Sequence, residues 1–388
     1  MTDAIVVGCG FAGAVAAREL AQRGKAVLVL EKRAHIAGNM FESTDVNGIR
    51  CHCYGPHIFH TNSKPVFDYL QQFSRFYRYE HCVLGSIDGG LVPIPFNFTS
   101  LESLRGRAHA TVLERKLVRN FPGRTRVAVS ELRGSAEPEI RALGEFVFEK
   151  VFLHYTAKQW GLPPERVDPS VTARVPVVLG YDNRYFADEY QYMPEEGFTA
   201  LFEKLLDHPL ITVGLGCDAL TRLTADTEHG RLLFDGEQWD KPVVFTGAVD
   251  ELLGCRFGAL PYRSLRLEFV PCAQTVFQPA AVVNYPNEEA FTRITEFKYL
   301  TRQRLDGATT ILREYPLPYD PSAKEGSVPF YPVAGQESRA LYERYRQALT
   351  DIPNLYLCGR LAQFQYFNMD AAVKAALDLS ARICEDWH

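Results

Sequence analysis

Ala4-Ile5-Val6-Val7-Gly8-Cys9-Gly10-Phe11-Ala12-Gly13 stands almost at the amino terminus, and its reading decides the fold. The first four residues are an apolar run suited to a buried strand. The glycines at 8, 10 and 13 follow, then a helical pattern with Val15, Leu20 and alanines packing inward. Gly24 ends that helix, and Val27-Leu28-Val29-Leu30 reads as a second buried strand finishing at Glu31. This is a βαβ unit carrying the G-x-G-x-x-G dinucleotide fingerprint. Gly8 is expected to make the tight turn, Gly10 to let the backbone approach a pyrophosphate, and Gly13 to allow close packing of helix on sheet. The helix start, at Phe11 and Ala12, offers unpaired N–H groups and a positive dipole end to phosphates. Glu31 sits where a carboxylate accepts from both hydroxyls of a ribose.

The sequence beyond Glu31 chooses between cofactors. Lys32-Arg33-Ala34-His35-Ile36-Ala37-Gly38-Asn39 makes a second small-residue turn, as in flavoproteins of the amine-oxidase and mutase type. Near the other end, Leu355-Tyr356-Leu357-Cys358-Gly359-Arg360 is another buried strand meeting glycine and arginine, ahead of a helix from about Met369. A second helix amino terminus and a cation are thereby brought toward a flavin and its diphosphate. FAD bound by both ends of the chain is the expectation.

Length and composition set the frame. A chain of 388 residues exceeds what one core supports, so two or three domains are expected. With 46% hydrophobic and 23% charged residues, disorder is excluded, and a net charge of −5 gives no reason to expect a nucleic-acid partner. No apolar run approaches the roughly 20 residues of a membrane span, and Met1-Thr2-Asp3 begins nothing like a signal peptide. Nine scattered cysteines read as small buried hydrophobes in a reducing cytoplasm, and Cys51-His52-Cys53 lacks the second ligand pair that structural zinc requires.

The middle of the chain reads as two further units. Helical spacing over 100–120 and 138–160 marks a helical domain at 99–165, whose basic residues from Arg105 to Arg126 are read as a solvated face. The proline-rich stretch 161–170 is expected to be a loop that acts as a lid. Alternation around Asp88-Gly89-Gly90 marks a hairpin, and several short strands over 258–335 suggest an antiparallel sheet. The expected fold is therefore α/β: a discontinuous Rossmann-type FAD-binding domain (1–78, 205–255, 340–388), the helical insertion, and an antiparallel sheet domain (79–98, 166–204, 256–339) that holds the substrate. Aromatics crowd around Tyr185 and again around Tyr331 and Tyr366, in places suited to stacking on a base and donating to phosphate.

Longer motifs then become specific. Tyr54-Gly55-Pro56-His57-Ile58-Phe59-His60-Thr61, Pro95-Phe96-Asn97, Tyr155-Thr156-Ala157-Lys158-Gln159-Trp160, Phe291-Thr292-Arg293-Ile294-Thr295-Glu296 and Gly359-Arg360 through Met369-Asp370 occur in one chain. In this combination the sequence resembles the bacterial UDP-galactopyranose mutase family from end to end. The resemblance implies non-redox interconversion of UDP-galactopyranose and UDP-galactofuranose on FAD that must be reduced, by NAD(P)H or another external reductant. It implies that the reduced flavin N5 attacks the anomeric carbon, displaces UDP and forms a flavin–sugar adduct. Arg174 on the lid and Arg293 on the sheet would grip the diphosphate, with hydroxyls of Tyr155, Tyr185, Tyr331 and Tyr366 assisting. Phe152 would stack on the base; Trp160 would sit by the lid and contact substrate with Thr156; Asn284 and Glu314 would face the sugar; and Asn368 would contact substrate. His60 would lie by the flavin N5. Lys32, Gly38, Asn39, His57, Cys217, Thr246, Gly359, Arg360, Asn368 and Met369 would join the fingerprint residues around the cofactor. The resemblance also implies a homodimer serving cell-surface polysaccharide biosynthesis.

The match departs from the family at His154, Tyr192, Val178 and Asn368. His154 and Tyr192 are expected to add bulk near the nucleotide or sugar, and Asn368 to remove a charge near the flavin. Those departures keep another nucleotide hexose open as substrate: a dTDP-6-deoxyhexose or a UDP-N-acetylhexosamine. An amine-oxidase-like FAD oxidoreductase and a non-catalytic nucleotide-sugar binder are the readings of other classes.

Overall fold

The computed structural model describes residues 1–161, 166, 176–323 and 328–386. Arg174 and all but residues 161 and 166 of the 161–170 stretch lie outside them.

The opening βαβ unit forms as its pattern dictates. Strand Ala4–Val7 is fully buried and pairs in parallel with Val27–Glu31 on one side and Val243–Phe245 on the other. Ile211–Leu215 and Leu355–Leu357 complete a five-stranded parallel sheet at its two edges. The helix Phe11–Gln22 can lie close to this sheet because its inner face is Ala14, Ala16 and Ala17. Gly13 sets that distance. A Cβ there would stand 2.0 Å from the Gly8 carbonyl oxygen. The long carboxy-terminal helix Met369–Asp386 packs beside it, with Val373, Ala376 and Ile383 buried.

The second sheet has seven strands, in the order Tyr331–Pro332, Tyr262–Cys272, Thr309–Pro318, Arg293–Glu296, Val282–Asn284, Val83–Ile87 and Gly90–Ile94. All neighbours are antiparallel except Val282–Asn284 and Val83–Ile87, which run parallel. The helices over residues 98–160 enclose their own core of Leu101, Leu113, Leu117, Ile140 and Leu143. Its last part changes pitch: Phe148–Leu153 is a π-helix leading into the α-helix His154–Trp160.

Several segments fall elsewhere than their spacing predicts. The helix Phe198–Leu206, expected with the substrate sheet, packs on Phe11–Gln22, where the Phe11 and Phe202 rings are 4.7 Å apart. Tyr190–Pro194 pairs with Phe59–Thr61 and Phe76–Arg78 in a separate three-stranded sheet. Val177–Val178 pairs with Arg126–Val127 of the helical unit. Residues 223–239 form a small meander rather than part of the parallel sheet. Each is a short strand or amphipathic helix whose partner is fixed by burial and not by its own pattern.

Candidate active site

A cleft opens at the carboxyl ends of the parallel strands, where open α/β sheets bind ligands. Gly8 to Ala12, Glu31, Lys32, Gly38, Asn39, His57, Thr246, Gly359, Arg360, Asn368 and Met369 all line it. The geometry gives each glycine a distinct job. Gly8 has φ +95°, Gly38 has φ +54°, and a Cβ on Gly38 would meet the Gly10 Cα at 2.9 Å. A Cβ on Gly10 would instead enter open space with no protein atom within 4 Å. That space lies at the start of the helix Phe11–Gln22, which has no side-chain cap, so its first N–H groups face the cleft. Glu31 is 5% exposed and receives the N–H groups of Cys9 and Arg33, each at 2.9 Å. Its oxygens keep further lone pairs for ribose hydroxyls. The buried Nδ1 of His57 has no hydrogen-bond partner among the described residues and lies where this cleft continues inward. Burial, then His52, Arg360 and Arg293, holds the His57 pKa well below the usual imidazole range. An uncapped helix end, a glycine cradle and an orphaned ring nitrogen fit FAD.

Beyond His57 the cleft continues into a second chamber. His57, Phe330, Arg360, Asn368 and Met369 line both parts, and Tyr155, Tyr185, Asn284, Arg293, Tyr331 and Tyr366 line the inner one. The same six residues border a further pocket with Phe152, Thr156, Gln159 and Trp160. The π-helix and the following α-helix thus bring Phe152, Tyr155, Thr156 and Trp160 to one wall. Strands Val282–Asn284 and Arg293–Glu296 bring Asn284 and Arg293 to the other. Burial raises the phenol pKa values of Tyr155 and Tyr331, so at neutral pH both hydroxyls stay protonated and can donate.

Arg293 stands where the inner chamber meets the aromatic pocket. Its Nε and Nη2 bond Oε1 and Oε2 of Glu314 at 2.6 and 2.8 Å. Burial works against the guanidinium charge, but the Glu314 carboxylate outweighs it and the pKa is raised. Glu314 itself is 1% exposed and does not line the cleft. The expectation that it faces substrate is corrected: it sits behind Arg293 and fixes the fork. Cys217 is a second correction. Its N–H donates to the Glu31 carbonyl at 2.9 Å, and its neighbours Asp218, Ala219 and Leu220 line the cleft in its place. Gly13 packs helix on sheet without lining the cleft. Arg360 lines both chambers, but its Nη1 and Nε donate to the carbonyls of Phe330 and Phe367 at 2.9 and 3.1 Å, which limits what it offers a phosphate.

The four family departures also sort by position. His154 is exposed, Tyr192 packs on the Phe67 ring at 4.5 Å, and Val178 is buried and pairs with Arg126 of the helical unit. None of these three lines the cleft, which for His154 and Tyr192 goes against expectation; Asn368 does. His60 lines the inner chamber, stacked on Phe186 at 3.7 Å with Nδ1 2.9 Å from Asp188. Sequence reasoning missed His81, which also lines it and is 4% exposed. Burial, then Arg293 and His60, pushes its pKa down to about 3. Nothing marks it in the sequence, where it is one histidine before an ordinary hairpin. Arg33 was within the quoted turn yet unassigned; it lines the cofactor cleft, over the Tyr54 ring at 4.3 Å.

Residues 150–366 match the UDP-galactopyranose mutase family, and residues 6–73 match an NAD(P)-binding Rossmann-like domain. A UDP-galactopyranose mutase of Mycoplasma pneumoniae is 36% identical over 379 residues, covering 97% of this chain and 94% of the relative. The chain belongs to the UDP-galactopyranose mutase family. A dTDP-fucopyranose mutase of Escherichia coli is 31% identical over 380 residues, with 97% of each chain covered. A crystal structure of a reduced UDP-galactopyranose mutase superposes with a TM-score of 0.74 at 16% identity, covering 99% of this chain and 94% of that one, which shows the shared fold. Membership in this mutase family decides against the oxidase reading, although the fold alone would have allowed it.

Proposed function

We propose that this protein is an isomerase that interconverts UDP-galactopyranose and UDP-galactofuranose with reduced FAD. The observation that carries the reading is the continuous cleft from the glycine cradle, past His57, to an aromatic pocket with Arg293 at the junction. Reduced FAD, when bound, supplies the nucleophile that takes the place of the nucleotide at the anomeric carbon. The chain's own part is to hold the departing diphosphate close, orient the sugar and keep water out. Arg293, held in one orientation by Glu314, is suited to present its remaining N–H groups to phosphate oxygens. Tyr155, Tyr331, Tyr185 and Tyr366 line the same chamber and are assigned as further donors. Phe152 is assigned to the base, Asn284 to the sugar, and Arg174, on sequence alone, to the second diphosphate contact.

We also propose a homodimer in the cytoplasm, serving cell-surface polysaccharide synthesis. Family membership supports this, and nine cysteines without a disulfide are in keeping with a reducing compartment. Light scattering on the purified protein tests the dimer.

The decisive assay follows UDP-galactofuranose by chromatography with dithionite-reduced and with oxidised protein. Conversion to UDP-galactopyranose by the reduced protein alone is expected. No conversion of it, with turnover of a dTDP-6-deoxyhexose instead, would transfer the activity to the substrate class named for the Escherichia coli relative.

A further inference from the structure

The short helix His154–Trp160 carries Tyr155, Thr156, Gln159 and Trp160 into the substrate pocket, and its remaining side is tied down unusually. Lys158 Nζ donates to three backbone carbonyls, those of Tyr285 at 2.5 Å, Glu289 at 2.9 Å and Phe291 at 3.3 Å. Those three acceptors use all three ammonium donors. They lie on the loop that joins strand Val282–Asn284 to strand Arg293–Glu296, the two strands forming the opposite wall of the pocket.

A second cation holds the carboxy-terminal carbonyls of the same helix. Arg263, 9% exposed on strand Tyr262–Cys272, donates Nε to the Gln159 carbonyl at 3.1 Å and Nη2 to the Lys158 carbonyl at 3.3 Å. These are terminal carbonyls of the helix, where intrahelical partners run out and the dipole end is negative. Gly161 ends the helix at φ +62°, and a Cβ there would come within 2.8 Å of Arg263 Nη1. Any side chain at 161 would sit in a strained left-handed backbone conformation and would have to push the guanidinium cap aside.

We propose that Lys158 and Arg263 are positioning residues of the substrate cleft, which fasten the helix bearing Tyr155 and Trp160 at a fixed distance from Asn284 and Arg293 and thereby set affinity for the nucleotide diphosphate. This rests on the nucleotide-sugar reading above. Neither cation lines the cleft. A displaced wall should therefore weaken binding while leaving the reacting groups intact.

The test compares wild type with Lys158→Met, Lys158→Arg and Gly161→Ala as FAD-loaded proteins. Kd for UDP is measured by calorimetry on the oxidised form, and KM and kcat for UDP-galactofuranose on the reduced form. For Lys158→Met and Gly161→Ala, Kd and KM are expected to rise on the order of ten- to a hundredfold, as a wall misplaced by about an ångström would cause. Their kcat should stay within about threefold of wild type. Lys158→Arg, which keeps a charged donor, should recover most of the loss. Gly161→Ala removes no charge, so it gives an answer even where Lys158→Met does not fold. Yellow, folded variants with unchanged Kd and KM, or with a loss confined to kcat, would overturn the positioning role alone. Wild-type protein that neither binds UDP nor turns over would overturn the underlying nucleotide-sugar reading as well.

Discussion

Arg293 and Glu314 face each other across adjacent strands in register, and both guanidinium nitrogens that reach the carboxylate do so within 2.8 Å. The pair is asymmetric in exposure: the Glu314 side chain is 2% exposed and that of Arg293 is 27%. The acid is therefore the anchor and the base is the working end. Arg293→Ala should cost about 10²–10³ in kcat/KM, the scale of losing one preorganised charge-stabilising donor, while the bound-flavin spectrum stays unchanged. Glu314→Gln should act more mildly and mainly on KM, because the fork loses its fixed plane but keeps its charge. Normal turnover by Arg293→Ala would remove it from the diphosphate site.

The cradle glycines separate binding from folding. Gly10 faces open space, whereas Gly13 faces the Gly8 carbonyl oxygen at 2.0 Å. Gly10→Val should therefore fold with an apoprotein Tm near that of wild type and fail to take up FAD, read as absent absorbance near the flavin bands. Gly13→Val should lower Tm or prevent soluble expression, since backbone must move to admit the side chain. A yellow Gly10→Val protein would contradict the proposed pyrophosphate approach.

What could be read from the sequence followed from local demands. The cradle was legible because each glycine answers a backbone requirement within a few residues, and the Tyr155–Trp160 wall because its motif is contiguous. Glu314 was expected to face the substrate and stands instead behind Arg293. Strand alternation gives the parity of a side chain and not which neighbour stands between it and the cleft. Cys217 missed by one residue for a related reason, since the turn after Ile211–Leu215 is set by the Glu31 carbonyl it bonds. His81 carried no local signal, because its role depends on Tyr185 and Phe186, a hundred residues away, closing over it.

That enclosure makes His81 a pH sensor of stability. Its pKa in the fold is about 3, against 6.5 for an ordinary histidine. Between those values the unfolded chain binds the proton and the native site does not, so stability is lost as pH falls from about 6.5 toward 3. His57 is shifted in the same direction. From pH 7 to pH 5, the Tm of the apoprotein should fall less steeply for His81→Gln than for wild type, because about one proton fewer is taken up on unfolding. Parallel slopes for the two proteins would show that His81 is already protonated in the native state.

Asn368 is the single family departure that touches the cleft, and it does so where the cofactor and inner chambers meet, beside His57 and Arg360. An aspartate there would add negative charge next to a cofactor that is itself gaining electrons, so Asn368→Asp should lower the midpoint potential of bound FAD. The shift amounts to about 30 mV for each 1.4 kcal/mol of added repulsion in a two-electron couple, and equilibrium reduction against a reference dye measures it. His154→Gly serves as the contrast. Because His154 is exposed and away from the pocket, that change should leave both the potential and the ratio of kcat/KM for UDP- and dTDP-linked sugars within about twofold of wild type. If His154→Gly altered the nucleotide preference and Asn368→Asp left the potential untouched, the two positions would have exchanged the roles that their placement gives them.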